Sequence, residues 1–385
     1  MNSDWENAGF GVYVHWPFCE AKCPYCDFNS HVVREIDQLR WLRAYQRDIT
    51  RYGDMLSGRV VSSVFFGGGT PSLMQPEVVA GVIEQIKSCW PVSNSLEVTL
   101  EANPGSVEAG RFEAYRAAGV TRISMGIQAL NDADLRRLGR IHSVAEAQQA
   151  FEIARKTFDN VSFDLIYARQ GQTPASWRKE LGEALQMAVD HLSLYQLTIE
   201  LGTAFGDRYN AGKLKDLPSD DAAAEMYEIT QETCGAAGLM AYEVSNHAKF
   251  GSECRHNKIY WAYGDYLGIG PGAHGRITLP NGRYATEGFL QPAKWLSAAE
   301  AGTGEKQREH LTQEDQATEF LLMGMRLSEG VSLKRFAALS GRQINPEAIE
   351  DLRQLGMITL LGDRLKTTQE GRFLLNSVLG KLLED

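Results

Sequence analysis

Three closely spaced cysteines follow an apolar run in the stretch Gly11-Val12-Tyr13-Val14-His15-Trp16-Pro17-Phe18-Cys19-Glu20-Ala21-Lys22-Cys23-Pro24-Tyr25-Cys26. The run predicts a β-strand, and the cysteines after it have the spacing C-x-x-x-C-x-x-C. Structural zinc takes four ligands, and a cubane iron–sulfur cluster takes four thiolates. A local set of three therefore indicates a cluster with one iron left open for another ligand. The alternatives are a zinc site completed by a remote fourth ligand, or three unrelated thiols.

The composition bounds the class of protein. The chain has 385 residues, 43% of them hydrophobic and 23% charged, which suits one large domain with one or two smaller ones. A net charge of −10 gives no basic surface for nucleic acid. The sequence shows no signal segment and no apolar run of about 18 residues, so we expect a soluble cytoplasmic protein. In such a protein, six cysteines with a tight subgroup fit metal binding better than disulfides.

Apolar, β-rich runs alternate with amphipathic helical patterns along the first half of the chain. The predicted strands are 11–16, 60–66, 96–100, 121–127, 161–167 and 191–199, and the predicted helices are 37–55, 76–89, 106–118, 145–157 and 174–189. Strands that alternate with helices predict βα units and a parallel sheet. Right-handed crossovers curve six such units into an open barrel. The predicted fold class is therefore α/β, with an open partial (β/α)6 barrel similar to a TIM barrel.

Glycines and polar side chains follow the predicted strands at their carboxyl ends. The cysteines follow the first strand, and Gly67-Gly68-Gly69-Thr70-Pro71 follows the second. Glu101 and Gln128 end the third and fourth strands, and Asp164 lies in the fifth. The carboxyl ends of parallel strands form the reactive face of α/β barrels. These positions therefore predict an active site at one rim.

Two of these rim motifs have several interpretations from the residues alone. The glycine run Gly67–Gly69 suits a phosphate cradle, a close cofactor contact or a plain tight turn, because glycine lets the backbone approach closely. The sequence contains neither G-x-x-x-x-G-K-[ST] nor G-x-G-x-x-G. Arg140, in Arg136–His142, fits a solvated basic helix end and a bidentate carboxylate clamp equally well.

The motifs resemble the HemN/HemW branch of the radical S-adenosylmethionine (SAM) superfamily, which contains oxygen-independent coproporphyrinogen III dehydrogenases and haem chaperones. The resemblance covers nearly the whole chain and rests on Tyr13–Phe18, Cys26–His31, Gly67–Ser72, Glu101–Gly105, Arg122–Gln128 and Arg140–His142. It implies the open (β/α)6 barrel of that superfamily and a 4Fe–4S cluster on Cys19, Cys23 and Cys26, with SAM on the open iron. By motif position, the SAM-contacting residues fall on Tyr13, Gly68, Gly69, Thr70, Glu101, Gln128, Arg140 and Asp164.

Three features favour the haem-chaperone side of this branch. The dehydrogenases carry a fourth cysteine two positions after the third, where this chain has Phe28, and only 18 residues precede Cys19 here. The stretch Arg255–Trp261 matches the H-N-x-x-Y-W motif that is implicated in haem binding in the family. The resemblance thus implies haem binding by His256 and Tyr260. From the residues alone, a loop histidine packed among core aromatics is the alternative, and Cys254 and His274 are secondary candidates.

One loop departs from the family pattern. The branch has D-L-I-Y-G-L-P-G-Q-T after the fifth strand, whereas here Asp164–Tyr167 is followed by Ala168-Arg169-Gln170 before Gly171. Loss of the glycine and the proline predicts a changed loop backbone and a reshaped substrate-side rim. The predicted domains are a radical SAM core at 8–245, an extension with the haem motif at 246–300, and a mainly helical, winged-helix-like domain at 311–385. A polar linker is expected at 300–310.

The resemblance implies a haem chaperone that carries a 4Fe–4S cluster, SAM and haem, and that delivers haem to acceptors such as respiratory enzymes. One alternative is decarboxylation of coproporphyrinogen III to protoporphyrinogen IX. Phe28 and the short segment before Cys19 argue against it. The other is a radical SAM reaction on another substrate, and no catalytic residue is assigned. The expected partners are haem and haem-accepting proteins, without nucleic acid and with membrane contact only through an acceptor. The sequence leaves the oligomeric state open, a homodimer included.

Overall fold

The computed structural model describes residues 4–105, 109–187 and 190–384. A twelve-stranded sheet forms its centre, and six strands of this sheet are neighbours in chain order. They are β1 (Phe10–Trp16), β2 (Val61–Gly68), β3 (Val92–Ala102), β4 (Arg122–Gln128), β5 (Asn160–Tyr167) and β6 (His191–Gln196). Each of them pairs in parallel with the next. The predicted α/β fold with six parallel strands is confirmed.

Helices connect these strands. They are α1 (Gln38–Met55), α2 (Pro76–Cys89), α3 (Phe112–Ala117), α4 (Asp132–Arg137), α5 (Val144–Thr157) and α6 (Pro174–Gln186). The predicted helices 37–55, 76–89 and 145–157 are confirmed to within one residue. The start of predicted helix 106–118 and the end of predicted helix 174–189 fall at 106–108 and 188–189, outside the described residues. The short 3-10 helix Pro71–Leu73 follows the glycine run.

An aromatic cluster supports the end of β1, where the cysteine loop begins. Helix α1 places Trp41, Tyr45 and Ile49 at a spacing of four residues, and all three are buried. The Trp41 ring stacks on Trp295 with 5.6 Å between centroids. The Tyr45 hydroxyl donates to the His15 carbonyl at 2.7 Å. Burial of each large side chain contributes about 1.5–3 kcal/mol, so this end of the strand is firmly held.

The sheet extends beyond the six parallel strands on both sides. After helices α7 (Ala204–Asn210) and α8 (Asp220–Ala236), the short strands β7 (Met240–Ala241) and β8 (Asn246–Ala248) join the β6 edge. Helix α9 (Arg255–Trp261) leads to β9 (Asp265–Ile269), which pairs in parallel with β1. Next come β10 (His274–Leu279), β11 (Gly282–Gly288), helix α10 (Pro292–Glu300) and β12 (Glu305–His310), and their strands are antiparallel neighbours.

The predicted linker at 300–310 is therefore wrong for its second half. Residues Glu305–His310 form β12, which pairs with β11 at the edge of the sheet. Four of the six side chains of this strand are exposed. A strand with so little buried surface has the polar composition of a linker, which explains the error.

The C-terminal region forms its own core beside the barrel. Its helices are α11 (Gln313–Gly324), α12 (Leu333–Ser340), α13 (Pro346–Gln354), α14 (Gln369–Phe373) and α15 (Leu375–Leu383). Strands β13 (Val331–Ser332), β14 (Ile358–Leu361) and β15 (Arg364–Thr367) form a small sheet in the order β13-β15-β14. Helices followed by this small antiparallel hairpin confirm the winged-helix-like prediction. Along the ranges described, no helix combines the length and apolar character that crossing a membrane requires.

Candidate functional site

The cysteine loop is fixed against the glycine run that follows β2. The Gly69 amide donates to the Trp16 carbonyl at 2.7 Å, and the Thr70 amide donates to the Phe18 carbonyl at 2.8 Å. These bonds join the start of the cysteine loop to the end of the neighbouring strand. All three cysteines of the loop are free thiols, and the first of them, Cys19, is buried.

The loop and the strand ends enclose one space, which we name the cluster cavity. Its lining contains every residue predicted for the iron–sulfur cluster and all but one of those predicted for SAM, namely Cys19, Cys23, Cys26, Gly68, Gly69, Thr70, Glu101, Gln128, Arg140 and Asp164. Phe28, at the position of the fourth cysteine of the dehydrogenases, also lines it and is 58% exposed. The structure thus brings the predicted residues together.

Backbone, rather than side chains, forms the wall at the glycine run. Gly68 has φ +108°, and a Cβ there would lie 2.5 Å from the His15 ring. A Cβ on Gly69 would lie 2.6 Å from the Phe18 carbonyl oxygen. Only glycine fits both positions, so the peptide groups of this run face the cavity without side chains.

Arg140 is anchored inside the cluster cavity. Its Nη2 donates to the Asn103 side-chain oxygen and to the Gly126 carbonyl, both at 2.7 Å, and its Nη1 lies 3.4 Å from the Cys23 sulfur. The alternative of a solvated helix end is therefore wrong. Gln128, nearby at the end of β4, has φ +75°, a conformation that a non-glycine residue adopts at a cost of about 1–3 kcal/mol.

Two half-buried acids, Glu101 and Asp164, form the inner wall of the cluster cavity. Burial raises the pKa of Glu101 to about 8, the charge of Asp164 adds to the shift, and a bond from the Gly68 amide opposes it. Burial also raises the pKa of Asp164 to about 6, against the effect of hydroxyls on Ser193 and Ser124 and of nearby arginines. A ligand that brings positive charge to this wall would favour the ionised form of both acids.

The three cysteines of the loop can be compared with what an iron–sulfur cluster requires. Within the described parts of the chain, no three or more His, Cys, Asp or Glu side chains are arranged around one ion position. A cubane cluster binds its thiolates on separate iron atoms and needs free thiols facing a common space. The three cysteines of the loop meet that requirement.

A second space, which we name the barrel cavity, adjoins the first inside the parallel strands. Its volume is about 380 Å³, which falls within the range of small-molecule sites. It shares Glu101, Ser124 and Asp164 with the cluster cavity. The remaining lining includes Tyr13, the predicted SAM residue that is absent from the cluster cavity, and both predicted haem residues, His256 and Tyr260.

His256 is a buried imidazole in the lining of the barrel cavity. Its Nδ1 lies 2.9 Å from the Ser63 hydroxyl, and the rings of Phe65 and Tyr13 stack on it with centroids 5.1 and 6.2 Å away. Burial lowers the pKa of His256 to about 3, so the ring is neutral. Its Nε2 has no hydrogen-bond partner in the part of the chain that the structure describes. When His256 Nδ1 carries the proton and donates it to the Ser63 hydroxyl, Nε2 is the nitrogen left for a metal.

The secondary candidates differ in their surroundings. Cys254 lies 3.7 Å from a carboxylate oxygen of Glu97, and burial raises the pKa of its thiol to about 12, so it is a poor thiolate ligand. His274 lines the barrel cavity from β10 and is exposed.

The loop that departs from the family pattern lies away from both cavities. Ala168 has φ +57°, in the left-handed region that favours glycine, so it occupies the family's glycine position with a glycine-like backbone. Arg169 is buried and pairs with Glu180 at 2.6 Å and with Asp134 at 3.0 Å. In the described lining of both cavities, residues 168–170 are absent. The predicted reshaping of the substrate-side rim is therefore not observed there.

Sequence reasoning missed several residues of the barrel cavity. Arg122, His191, Glu243 and Arg326 all line it. Arg122 begins the stretch Arg122–Gln128, one of those that carry the family resemblance, so the sequence did contain a signal for it. Arg326 comes from the C-terminal domain, and no local motif marks it.

Comparisons with known proteins agree with this geometry. The profile of the Radical SAM superfamily matches residues 13–183, and that of the HemN C-terminal domain matches residues 311–374. The solved structure of coproporphyrinogen III oxidase (HemN) from Escherichia coli, a radical SAM enzyme, superposes with a TM-score of 0.82 at 20% identity, over 97% of this chain and 90% of that one. The open barrel and its cysteine-lined cavity therefore define a radical SAM protein, a class that implies a 4Fe–4S cluster and SAM.

The sequence relatives narrow this class. The heme chaperone HemW of Haemophilus influenzae is 38% identical over 97% of this chain and 98% of its own length. The heme chaperone HemW of Escherichia coli is 37% identical, with the same coverage of both chains. Within the radical SAM superfamily, this chain belongs to the HemW family.

Proposed function

We propose that this protein is a haem chaperone that binds haem in the barrel cavity and delivers it to acceptor proteins such as respiratory enzymes. The observation that carries the proposal is His256, a buried neutral imidazole whose Nδ1 lies beside Ser63 and whose Nε2 remains available in a cavity next to the cysteine loop. The names of the relatives, which are heme chaperones, support the same function.

The resident cofactors belong to the cluster cavity in this proposal. Cys19, Cys23 and Cys26 would hold the 4Fe–4S cluster, which supplies electrons to SAM when both are bound. The glycine run would offer its peptide groups to SAM, and Arg140 would orient it together with Gln128. Glu101 and Asp164 would compensate its positive charge. Tyr13 would contact SAM from the barrel cavity, across the wall that the two cavities share.

Haem is the cargo in this proposal. Haem iron needs an axial nitrogen, sulfur or phenolate and an apolar slot. His256 would supply the nitrogen, with the Ser63 hydroxyl accepting the proton of its Nδ1. Tyr260, four residues later on α9, lines the same cavity, and its ring packs on Trp261 at 4.3 Å and on Tyr266 at 6.1 Å.

The decisive experiment is a haem titration followed by a transfer assay. We expect the wild type to bind haem with a Soret band typical of histidine ligation and to pass haem to an apo-haem protein such as apomyoglobin. His256→Ala should lose that band, and added imidazole should restore it, whereas His310→Ala on the exposed edge strand should behave like the wild type. A His256→Ala variant with an unchanged spectrum would remove His256 as the ligand.

An anaerobic turnover assay separates this proposal from its enzymatic alternative. The reconstituted protein is given SAM, a strong reductant and coproporphyrinogen III, and tetrapyrrole products are followed by mass detection. We expect no decarboxylated tetrapyrrole. Formation of protoporphyrinogen IX would establish a dehydrogenase and overturn the chaperone assignment.

The partners and location follow from the same proposal. We infer haem-accepting proteins as partners and a cytoplasmic site of action, with membrane contact only through an acceptor. The net charge of −10 argues against nucleic acid as a further partner. Size-exclusion chromatography with light scattering would establish whether a homodimer forms.

A further inference from the structure

Several buried N–H groups of the barrel cavity have no acceptor. Among the described residues, Arg122 Nε, Trp261 Nε1 and Arg326 Nε are buried and unpaired, and all three residues line this cavity. Arg122 is only 4% exposed. An unpaired buried donor costs about 1–3 kcal/mol, and native proteins contain few of them. Protein atoms enclose these three nitrogens, so a ligand oxygen in the cavity would approach the terminal nitrogens of the two arginines instead.

Arg326 is the donor that is best placed to change partners. It follows α11 of the C-terminal domain, and its guanidinium lies over the Trp261 ring, 4.4 Å from the centroid. Its Nη2 donates to the Glu243 carboxylate at 3.2 Å. A guanidinium has five N–H donors, and in the described part of the chain only this nitrogen of Arg326 is engaged. The residue therefore has capacity for a second carboxylate.

Glu243 does not depend on Arg326 for its hydrogen bonds. Its other oxygen accepts from the Ser245 amide at 2.7 Å and from the Asn246 side chain at 2.6 Å. The side chain is 1% exposed and is fixed beside the cavity. Glu243 therefore holds the guanidinium in position over Trp261 and leaves the remaining donors of Arg326 for another acceptor.

We propose that Arg326 binds a propionate carboxylate of haem, so that the C-terminal domain holds the acidic edge of the ligand while α9 holds its iron. The inference rests on the proposed haem-binding function and deepens it. Guanidinium groups pair with carboxylates through two parallel hydrogen bonds, which makes arginine suited to this role. Arg122 is a less available partner, because Ser162 and the Ser252 carbonyl already engage its two terminal nitrogens, at 3.2 and 3.3 Å.

The test compares haem with its dimethyl ester, in which both propionates are neutral. We expect the wild type to bind haem about 10- to 100-fold more tightly than the ester, the range for hydrogen bonds to charged groups. Arg326→Gln should lower haem affinity by about the same factor, leave ester affinity unchanged and keep the Soret position, since the iron ligand is intact. The matched control is Arg353→Gln, an exposed arginine of the same domain that pairs with Glu350.

A second variant separates ligand binding from a structural role. Glu243→Gln removes the charge that positions the Arg326 guanidinium, so the preference for haem over the ester should shrink while the affinity for the ester stays unchanged. If Arg326 served only to neutralise Glu243, the two variants would weaken haem and ester alike. Equal affinity of the wild type for haem and ester would overturn the carboxylate role while leaving haem binding intact. If the wild type bound neither compound, the proposed function would fail and this inference with it.

Discussion

The two cavities differ in how the residues that line them are distributed along the sequence. The cluster cavity is formed by short contiguous motifs at strand ends: a cysteine loop, a glycine run and the residues around Gln128. The barrel cavity is formed by single side chains scattered from Tyr13 to Arg326. A site made of contiguous motifs is visible in the sequence, whereas one made of dispersed side chains appears only when the chain folds. The contrast also predicts that the two sites can be disabled separately.

The largest effect is expected from the triple variant Cys19→Ala, Cys23→Ala, Cys26→Ala. It should abolish cluster absorption and bound iron after anaerobic reconstitution, because all the local thiolates are gone. Haem titration should be unchanged, because His256 and its neighbours lie in the other cavity. Cys89→Ala, at the end of α2, is the matched control and should keep its cluster. Retained iron in the triple variant would contradict the assignment of the cluster to these cysteines. Loss of haem binding would contradict the independence of the two cavities.

The second-largest effect is expected on SAM affinity, from substitution of Arg140 in the cluster cavity. Arg140→Met removes bonds to Asn103 and Gly126 and the contact with Cys23. We expect SAM affinity, measured by anaerobic calorimetry, to fall by about 10- to 100-fold, because hydrogen bonds to charged groups are lost. Iron content should stay normal. Arg137→Met, at an exposed neighbour paired with Asp134, should bind SAM as the wild type does, and equal affinities in the two variants would contradict the role of Arg140.

A smaller effect is expected on the pH dependence of stability, from Glu101 in the wall that both cavities share. The pKa of Glu101 is about 8 in the fold against 4.5 in the unfolded chain, so the folded protein binds more protons between these values. The stability of the cofactor-free protein should therefore fall as pH rises from about 5 to about 8. Glu101→Gln should flatten this decline, with Asp164 still contributing near pH 6. Urea unfolding of the wild type and of Glu101→Gln at pH 5.5, 6.5 and 7.5 measures the free energy of unfolding. If it declined equally with pH in both proteins, the raised pKa of Glu101 would be contradicted.

The smallest effect lies outside both cavities. Ala168→Gly relieves the left-handed conformation of the loop after β5 but adds freedom to the unfolded chain. The net gain in the free energy of unfolding should be about 1 kcal/mol or less. Ala133→Gly, in helix α4, should instead destabilise by about 0.5–1 kcal/mol. Denaturant titration tests both signs, and changed SAM or haem affinity in Ala168→Gly would mean that this loop does reach a cavity.

The parts of the fold that sequence predicts are those with a strong local signal. The six parallel strands have apolar runs, and all six were predicted, although the third begins earlier than 96, at Val92, and the sixth ends at Gln196 rather than at 199. The β10–β11 hairpin was missed although Asn281-Gly282 is a turn signal: Pro280 and Asn281 form the two-residue turn, and Gly282 begins β11. Strand β12 is too polar to read as a strand. Arg326 and Glu243 meet only through the docking of the C-terminal domain, and no periodicity along the chain encodes that contact.

Glu101, Ser124 and Asp164 face both cavities, and this common wall has a thermodynamic consequence. A ligand on one side acts on the charge state and orientation of side chains that the other ligand also meets. Linkage makes such an influence reciprocal: the factor by which SAM changes the Kd for haem is the factor by which haem changes the Kd for SAM. Under the proposed function, the supply of a small metabolite would thus enter the equilibrium for haem release.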